Sequence, residues 1–418
     1  MSESTTAGPR PTSPGAATEG ATIRPFHVSV PEAELEDLRA RIAATRWPEK
    51  ETVEDASQGV QLATMQALAR YWLTEYDWRK CEARLNAVPQ FITEIDGLDI
   101  QFVHVRSTHE DALPVVVCHG WPGSVIEQLK IVDLLTDPTT HGASASDAFH
   151  VVIPNMPGYG FSGKPTEPGW DVARIGRAWV ELMKRLGYTQ FVAAGGDWGG
   201  IVVDVMAAGP DAPAELIGIH STFPGVFPDA IEKVIQTHGE LPSDLSAAER
   251  RAVETLTNAY QYAGQAEMAW HPQTLFGLAD SPAALAAWLI DHDPISYETL
   301  VAPAFVDGRE GGLTRDDILD NATMFWLTNT GVSAARIYWE HKASWAAVRN
   351  VTVPVAVSVF PDDVVYSPRS WTEQAYPNLV HYNEVGRGGH FAAWEQPELY
   401  ASELRDGFRS LRTNGGSS

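Results

Sequence analysis

Apolar positions follow two different periods along this chain. Between Ile23 and about Pro89 they fall at helical spacing: Leu35, Leu38 and Ile42 share one face after Pro31, and Pro48 ends the run. From Phe91 the pattern turns to strands. FITEIDGLDIQFVHV reads as a hairpin turning at Asp96-Gly97, and strand-like runs follow at Pro114 to Cys118, Phe149 to Ile153, Gln190 to Ala194 and Leu216 to His220. Helical patterns such as Ile175, Trp179, Leu182 and Leu186 lie between them. This alternation predicts an α/β fold, a mostly parallel sheet with helices on both faces. Beyond His220 the strand signal gives way to helical runs such as Ala283 to Ile290 and Asp316 to Thr328, then returns at Pro354 to Phe360 and Leu379 to Val385. A helical block inserted in a parallel sheet is the arrangement of a lid. The expected organisation is a disordered tail over 1–22, an N-terminal accessory domain over 23–90, a core over 91–225 and 346–418, and a lid over 226–345. The end, from about Asn414, is expected to fray.

Composition narrows the partners. The 418 residues are 44% hydrophobic and include 14 Trp, enough to build a large core. Thirty Lys and Arg against 54 Asp and Glu leave a formal charge of -24, which argues against nucleic acid and anionic membranes. No apolar stretch approaches the ~20 residues of a membrane span. The first 22 residues lack the basic region and apolar core of a secretory signal. Two cysteines, Cys81 and Cys118, give no disulfide framework, so a cytoplasmic setting is expected.

The chemistry is concentrated in GGDWGG, Gly195 to Gly200, which follows a strand-like run and opens an apolar helical run, Ile201 to Ala208. Strand, sharp turn and helix form the context of a nucleophile elbow, with Asp197 where serine is usual. That exchange constrains the electrophile. A serine that attacked saturated carbon would form an ether that water does not readily open. A carboxylate forms an ester, which activated water can hydrolyse at the carbonyl. Asp197 therefore points to alkyl rather than acyl transfer.

An acid and a base follow in the chain order of α/β hydrolases. The strand VAVSVF ends in Pro361-Asp362-Asp363, and LVHYNEV leads to RGGHFAAWEQP with His390. Asp362 and Asp363 are both candidates for the acid from sequence alone. All these residues lie beyond the carboxyl ends of strands, the edge where open α/β sheets bind ligands. HGWPGS, His119 to Ser124, follows another strand; its Trp121 amide, with that of Trp198, is the candidate oxyanion hole. GYGFSG, Gly158 to Gly163, matches a dinucleotide fingerprint, but the prolines after it leave no helix start for a pyrophosphate. Neither a nucleotide cofactor nor a metal is expected, since no His, Cys or carboxylate cluster has metal-ligand spacing.

Together, Asp197, Asp363, His390 and HGWPGS resemble the microsomal-type epoxide hydrolase family of the α/β hydrolase superfamily. PFHVSVPEAELEDLRARIAATRWPE is similar to the start of its N-terminal domain, ADSPAALAAWLIDHD and ARIYWE to its lid, and RGGHFAAWEQPEL to its histidine loop. The resemblance implies Asp363 as the acid, where the family usually has Glu, and cofactor-free hydrolysis of an epoxide to a vicinal diol. It also implies two lid tyrosines that donate hydrogen bonds to the epoxide oxygen, one of which protonates the alkoxide. Tyr338 of ARIYWE matches one; the other is expected near position 264, which is Gly264, with Tyr260 and Tyr262 just before it. The expected partners are an epoxide and water, and the N-terminal arm is compatible with a homodimer. The alternatives are a haloalkane dehalogenase, which uses the same Asp, His and acid, and a hydrolase-fold protein that binds without turnover. The natural epoxide, and whether its hydrolysis serves detoxification or biosynthesis, is left open.

Overall fold

The computed structural model describes residues 22–309 and 312–412. Apart from Thr22, the tail expected over 1–22 lies outside them, as does the fraying expected from Asn414. Nine strands form one sheet: β1 (Arg24–Phe26), β2 (Gln90–Ile95), β3 (Leu98–Val105), β4 (Leu113–Cys118), β5 (Phe149–Pro154), β6 (Phe191–Gly195), β7 (Leu216–Ser221), β8 (Val355–Val359) and β9 (Leu379–Glu384). Their order is β1-β2-β3-β5-β4-β6-β7-β8-β9. Pairing is antiparallel from β1 to β5 and parallel from β5 through β9. The central strands read as unbroken apolar runs because they are covered on both faces; every residue of β6 and β8 is buried.

The hairpin between β2 and β3 turns at Asp96 and Gly97, with φ 52° and 78°, the pair of positive angles that its two-residue turn requires. Strand β1 departs from the helical reading of the N-terminal segment. It has only three residues and contains Pro25, too short to show alternation, and its place at the sheet edge tolerates a residue without an N–H. The rest of that segment is helical: α1 (Glu32–Ala43), α2 (Leu62–Thr74) and α3 (Trp78–Asn86).

Helices α4 (Val125–Thr136), α5 (Val172–Arg185) and α6 (Asp197–Met206) accompany the first part of the sheet. Between β7 and β8 the described residues contain helices and no strand: α7 (Asp229–Thr237), α8 (Ala247–Tyr260), α9 (Ala263–Trp270), α10 (Pro282–Ile290), α11 (Arg315–Thr328) and α12 (Gly331–Glu340) are its longer helices. This block is fastened from two sides. From the N-terminal segment, Trp72 Nε1 donates to Thr323 at 3.0 Å, and Tyr71 and Tyr76 donate to Asp316 and Asp320 at 2.9 and 2.8 Å. From the core, Asn321 Nδ2 donates to the Pro122 carbonyl at 2.7 Å, and Ser333 Oγ donates to the Gly158 carbonyl at 2.6 Å. The second contact explains the first glycine of GYGFSG: a Cβ at Gly158 would sit 2.8 Å from the Ser333 carbonyl. Helix α5 begins only at Val172, so that loop ends without the helix start a pyrophosphate needs.

Candidate active site

Asp197 is the first residue of α6, directly after the β6 turn, and has φ 49°. A residue with a Cβ adopts this left-handed angle at a cost of ~1–3 kcal/mol, which the surrounding packing must offset. The packing is tight because the glycines permit it. A Cβ at Gly195 would strike the Gly199 backbone, and one at Gly199 would strike the Cys118 carbonyl at the end of β4. Strand and helix therefore meet at the turn and hold the Asp197 carboxylate above the sheet edge.

The two carboxylate oxygens face different neighbours. Oδ1 accepts the Trp121 N–H at 2.7 Å, and the Trp198 N–H also bonds to the carboxylate. Oδ2 lies 3.5 Å from His390 Nε2. The other imidazole nitrogen, Nδ1, is 2.7 Å from Asp363 Oδ1. Asp363 is buried, whereas the neighbouring Asp362 is exposed and takes part in backbone pairing with Gly389. Sequence alone left those two aspartates open; in the fold Asp363 reaches the histidine and Asp362 ties the acid loop to the histidine loop.

Electrostatics follow from burial and this pairing. Burial alone would raise the Asp197 pKa, but the hydrogen bond and charge of His390, then His292, outweigh it and hold the carboxyl below its usual range. Burial disfavours the His390 imidazolium, yet the Asp363 and Asp197 carboxylates hold its pKa well above the ordinary histidine value. Burial, then the Asp197 charge, pushes the Tyr338 phenol well above its usual value, so it carries a proton at neutral pH.

Tyr338 lies on α12, with its ring edge-on to Trp198 at 4.8 Å and to Trp121 at 6.3 Å. All six residues singled out from the sequence, Asp197, Asp363, His390, Tyr338, Trp121 and Trp198, thus converge on one place. A larger cavity of ≈ 680 Å³ lies elsewhere, beside Trp170, Trp270 and Trp339, and includes none of the six.

Comparison with known proteins gives this constellation its context. A model described as the epoxide hydrolase N terminus matches residues 23–128, and one for the alpha/beta hydrolase fold matches 114–285. The chain is 50% identical over 398 residues to a Stigmatella aurantiaca protein named provisionally as an epoxide hydrolase, covering 93% of this chain and 86% of the other. It is 33% identical to epoxide hydrolase 1 of Sus scrofa, covering 94% of this chain and 90% of that one. The chain belongs to the epoxide hydrolase family. Its structure superposes on the crystal structure of juvenile hormone epoxide hydrolase from the silkworm Bombyx mori with a TM-score of 0.81, at 28% identity, over 94% and 96% of the two chains. As an epoxide hydrolase it opens an epoxide with water, and the dehalogenase alternative falls away. No helix among the described residues is long and apolar enough to cross a membrane.

Within the epoxide hydrolase fold, the position expected to carry a second lid tyrosine is explained by geometry. Gly264 is on α9, which packs against α12. A Cβ built on Gly264 would lie 2.8 Å from Tyr262 Cε1 and 3.3 Å from its hydroxyl. The Tyr262 ring thus lies over Gly264 on the helix that packs against α12. Tyr260 is committed elsewhere, donating to Glu232 at 2.6 Å.

Two neighbours escaped the sequence reading. His292 stacks on His390 with ring centroids 4.5 Å apart, and its Nδ1 is 3.0 Å from Asp293 Oδ2. Asp197, His292 and His390 each bring one ligand-type atom within 4.8 Å of the others. This corrects the expectation that no such cluster exists: its members are far apart in the chain, so local spacing could not reveal it. Glu395 is the other. It accepts the N–H groups of Gly389 and Phe391 at 3.2 and 2.9 Å, gripping the loop on both sides of His390; burial pushes its pKa up to about 7. Its only sequence signal is an acid in the otherwise apolar HFAAWE.

Proposed function

We propose that Asp197 is the nucleophile of a two-step hydrolysis of an apolar epoxide, with Tyr338 and Tyr262 as proton donors and His390, oriented by Asp363, as the base. The observation that carries this reading is the division of labour at Asp197: one oxygen accepts the Trp121 N–H while the other faces the histidine beneath a protonated phenol. Oδ2 attacks a ring carbon, the carbon–oxygen bond breaks, and a phenol protonates the leaving oxygen, since an unprotonated alkoxide leaves poorly. A hydroxyalkyl ester forms on Asp197.

The second step uses the geometry already in place. His390 takes a proton from water as the water oxygen adds to the ester carbonyl. The Trp121 amide, already on Oδ1, holds the oxyanion together with the Trp198 amide. Collapse expels the diol oxygen, which takes the proton back from His390, and the proton of the regenerated carboxyl restores the phenol. Alkylation also prepares the base. It turns one of the two carboxylates that hold the His390 proton into a neutral ester, which lowers the proton affinity of His390 when it must act as a base. The aromatic faces of Trp198 and Trp121 around Tyr338 suit an apolar epoxide substituent.

A His390→Gln variant tests the reading. Incubated with styrene oxide, it should accumulate a peptide containing Asp197 heavier by one substrate mass. An unmodified peptide alongside diol formation would contradict it.

A further inference from the structure

Behind Asp197, on the side away from the lid, is a cavity of ≈ 30 Å³. Its walls include Glu127, Gln128, Asp197, Thr222, His390 and Tyr400; Thr222 directly follows β7, and no lining residue comes from the helices between β7 and β8. A cavity of about 10–15 Å³ is already enough for one water, and a water held inside a protein needs two to four polar partners. Here the partners are built in. Gln128 Oε1 is buried and has no hydrogen-bond partner in the protein, and the buried His390 Nε2 has only the 3.5 Å approach of Asp197 Oδ2. Glu127 and Gln128 are adjacent in the first turn of α4, and Gln128 Nε2 donates to Glu127 Oε1 at 2.8 Å. That bond aims the amide oxygen of Gln128 away from Glu127 and leaves it free to accept.

We propose that Glu127 and Gln128 are positioning residues for the hydrolytic water, which reaches the ester from this core-side chamber while the epoxide enters from the lid side. The proposal rests on Asp197 forming the ester. Burial of Glu127 beside Asp197 pushes its pKa up to about 8, so at neutral pH it holds a hydroxyl that donates to the water oxygen. The water's two hydrogens then go to His390 Nε2 and Gln128 Oε1, and its remaining lone pair faces the Asp197 carbonyl carbon. When the step proceeds, the O–H bond to His390 breaks as the bond to Asp197 Cγ forms. An ionised Glu127 would instead accept a hydrogen, competing with His390 for the proton to be removed.

The test separates the two half-reactions. With styrene oxide under single-turnover conditions, Glu127→Leu should alkylate Asp197 within about threefold of the parent rate. Its ester hydrolysis should slow about a hundredfold, so the ester accumulates. Glu127→Gln keeps an N–H donor and should restore hydrolysis to within about tenfold of the parent. If Glu127→Leu does not fold by circular dichroism, Gln128→Leu is measured in its place and should show the same split at about tenfold. Equal slowing of both half-reactions, or no slowing of hydrolysis, would overturn the proposal. A parent enzyme that forms no ester would instead overturn the covalent reading on which it rests.

Discussion

The sheet edge and the helical block between β7 and β8 solve the same problem, holding a side chain of the site still, by different means. At the edge, Asp197, Asp363 and His390 sit within a few residues of strand ends and are locked by backbone contacts: glycine packing at the elbow, the Asp362 bridge, the Glu395 grip on the histidine loop. In the helical block, Tyr338 sits on α12 and Tyr262 at the start of α9, held by side-chain packing over Gly264 and by the anchors of α11 and α12 to core loops. Strand ends fix position by covalent register; helices fix it by packing. A tyrosine two residues away from the expected position can therefore fill the same space, whereas a nucleophile displaced by one residue would leave the elbow.

If this contrast is right, substitutions at the edge should cost far more than those in the lid. Asp197→Ala should lower kcat by at least about 10⁴ with an unchanged circular dichroism spectrum, because no other group can form the ester. Asp363→Asn should cost about 10³, while Asp362→Asn should stay within about threefold; steady-state kinetics on the two variants would expose any exchange of roles. Tyr338→Phe should cost about a hundredfold, the ordinary worth of a positioned acid.

The lid prediction that most sharpens the comparison concerns Gly264. Gly264→Ala should push the Tyr262 ring aside and lower kcat/KM by about tenfold, as Tyr262→Phe should. The double variant should lose little more than either single one, because both changes remove one phenol. Additive losses would mean that Tyr262 does not act from over Gly264. The smallest effect is electrostatic. Asp363 and Asp197 together raise the His390 pKa, so Asp197→Asn should lower it, and an NMR titration of the imidazole should find the drop. An unchanged or higher value would remove the argument that alkylation readies the base.

What the sequence made legible was what lies close together along it. GGDWGG carries strand, turn and helix in one stretch, and the β2–β3 hairpin announces itself through Asp96-Gly97. Local pattern also gave the parallel sheet and the helical insertion. It failed where the deciding neighbour is remote. His292 looks like any residue of LIDHD until the fold stacks it on His390, 98 positions away in sequence. Glu127 reads as one of several polar positions on its helix until the loop after β4 folds over it and it is buried beside Asp197. Tyr262 could not be chosen over Tyr260 from spacing alone, because the choice depends on which phenol packs over Gly264 and which bonds to Glu232.

The central claim, that Asp197 carries the covalent step, is tested most directly by one turnover of excess enzyme on styrene oxide in water enriched in oxygen-18. The oxygen added to the diol should then come from the Asp197 carboxylate. The account predicts unlabelled diol and one heavy oxygen in the peptide containing Asp197. Label in the diol with none in that peptide would mean that water attacks the epoxide directly, and would contradict it.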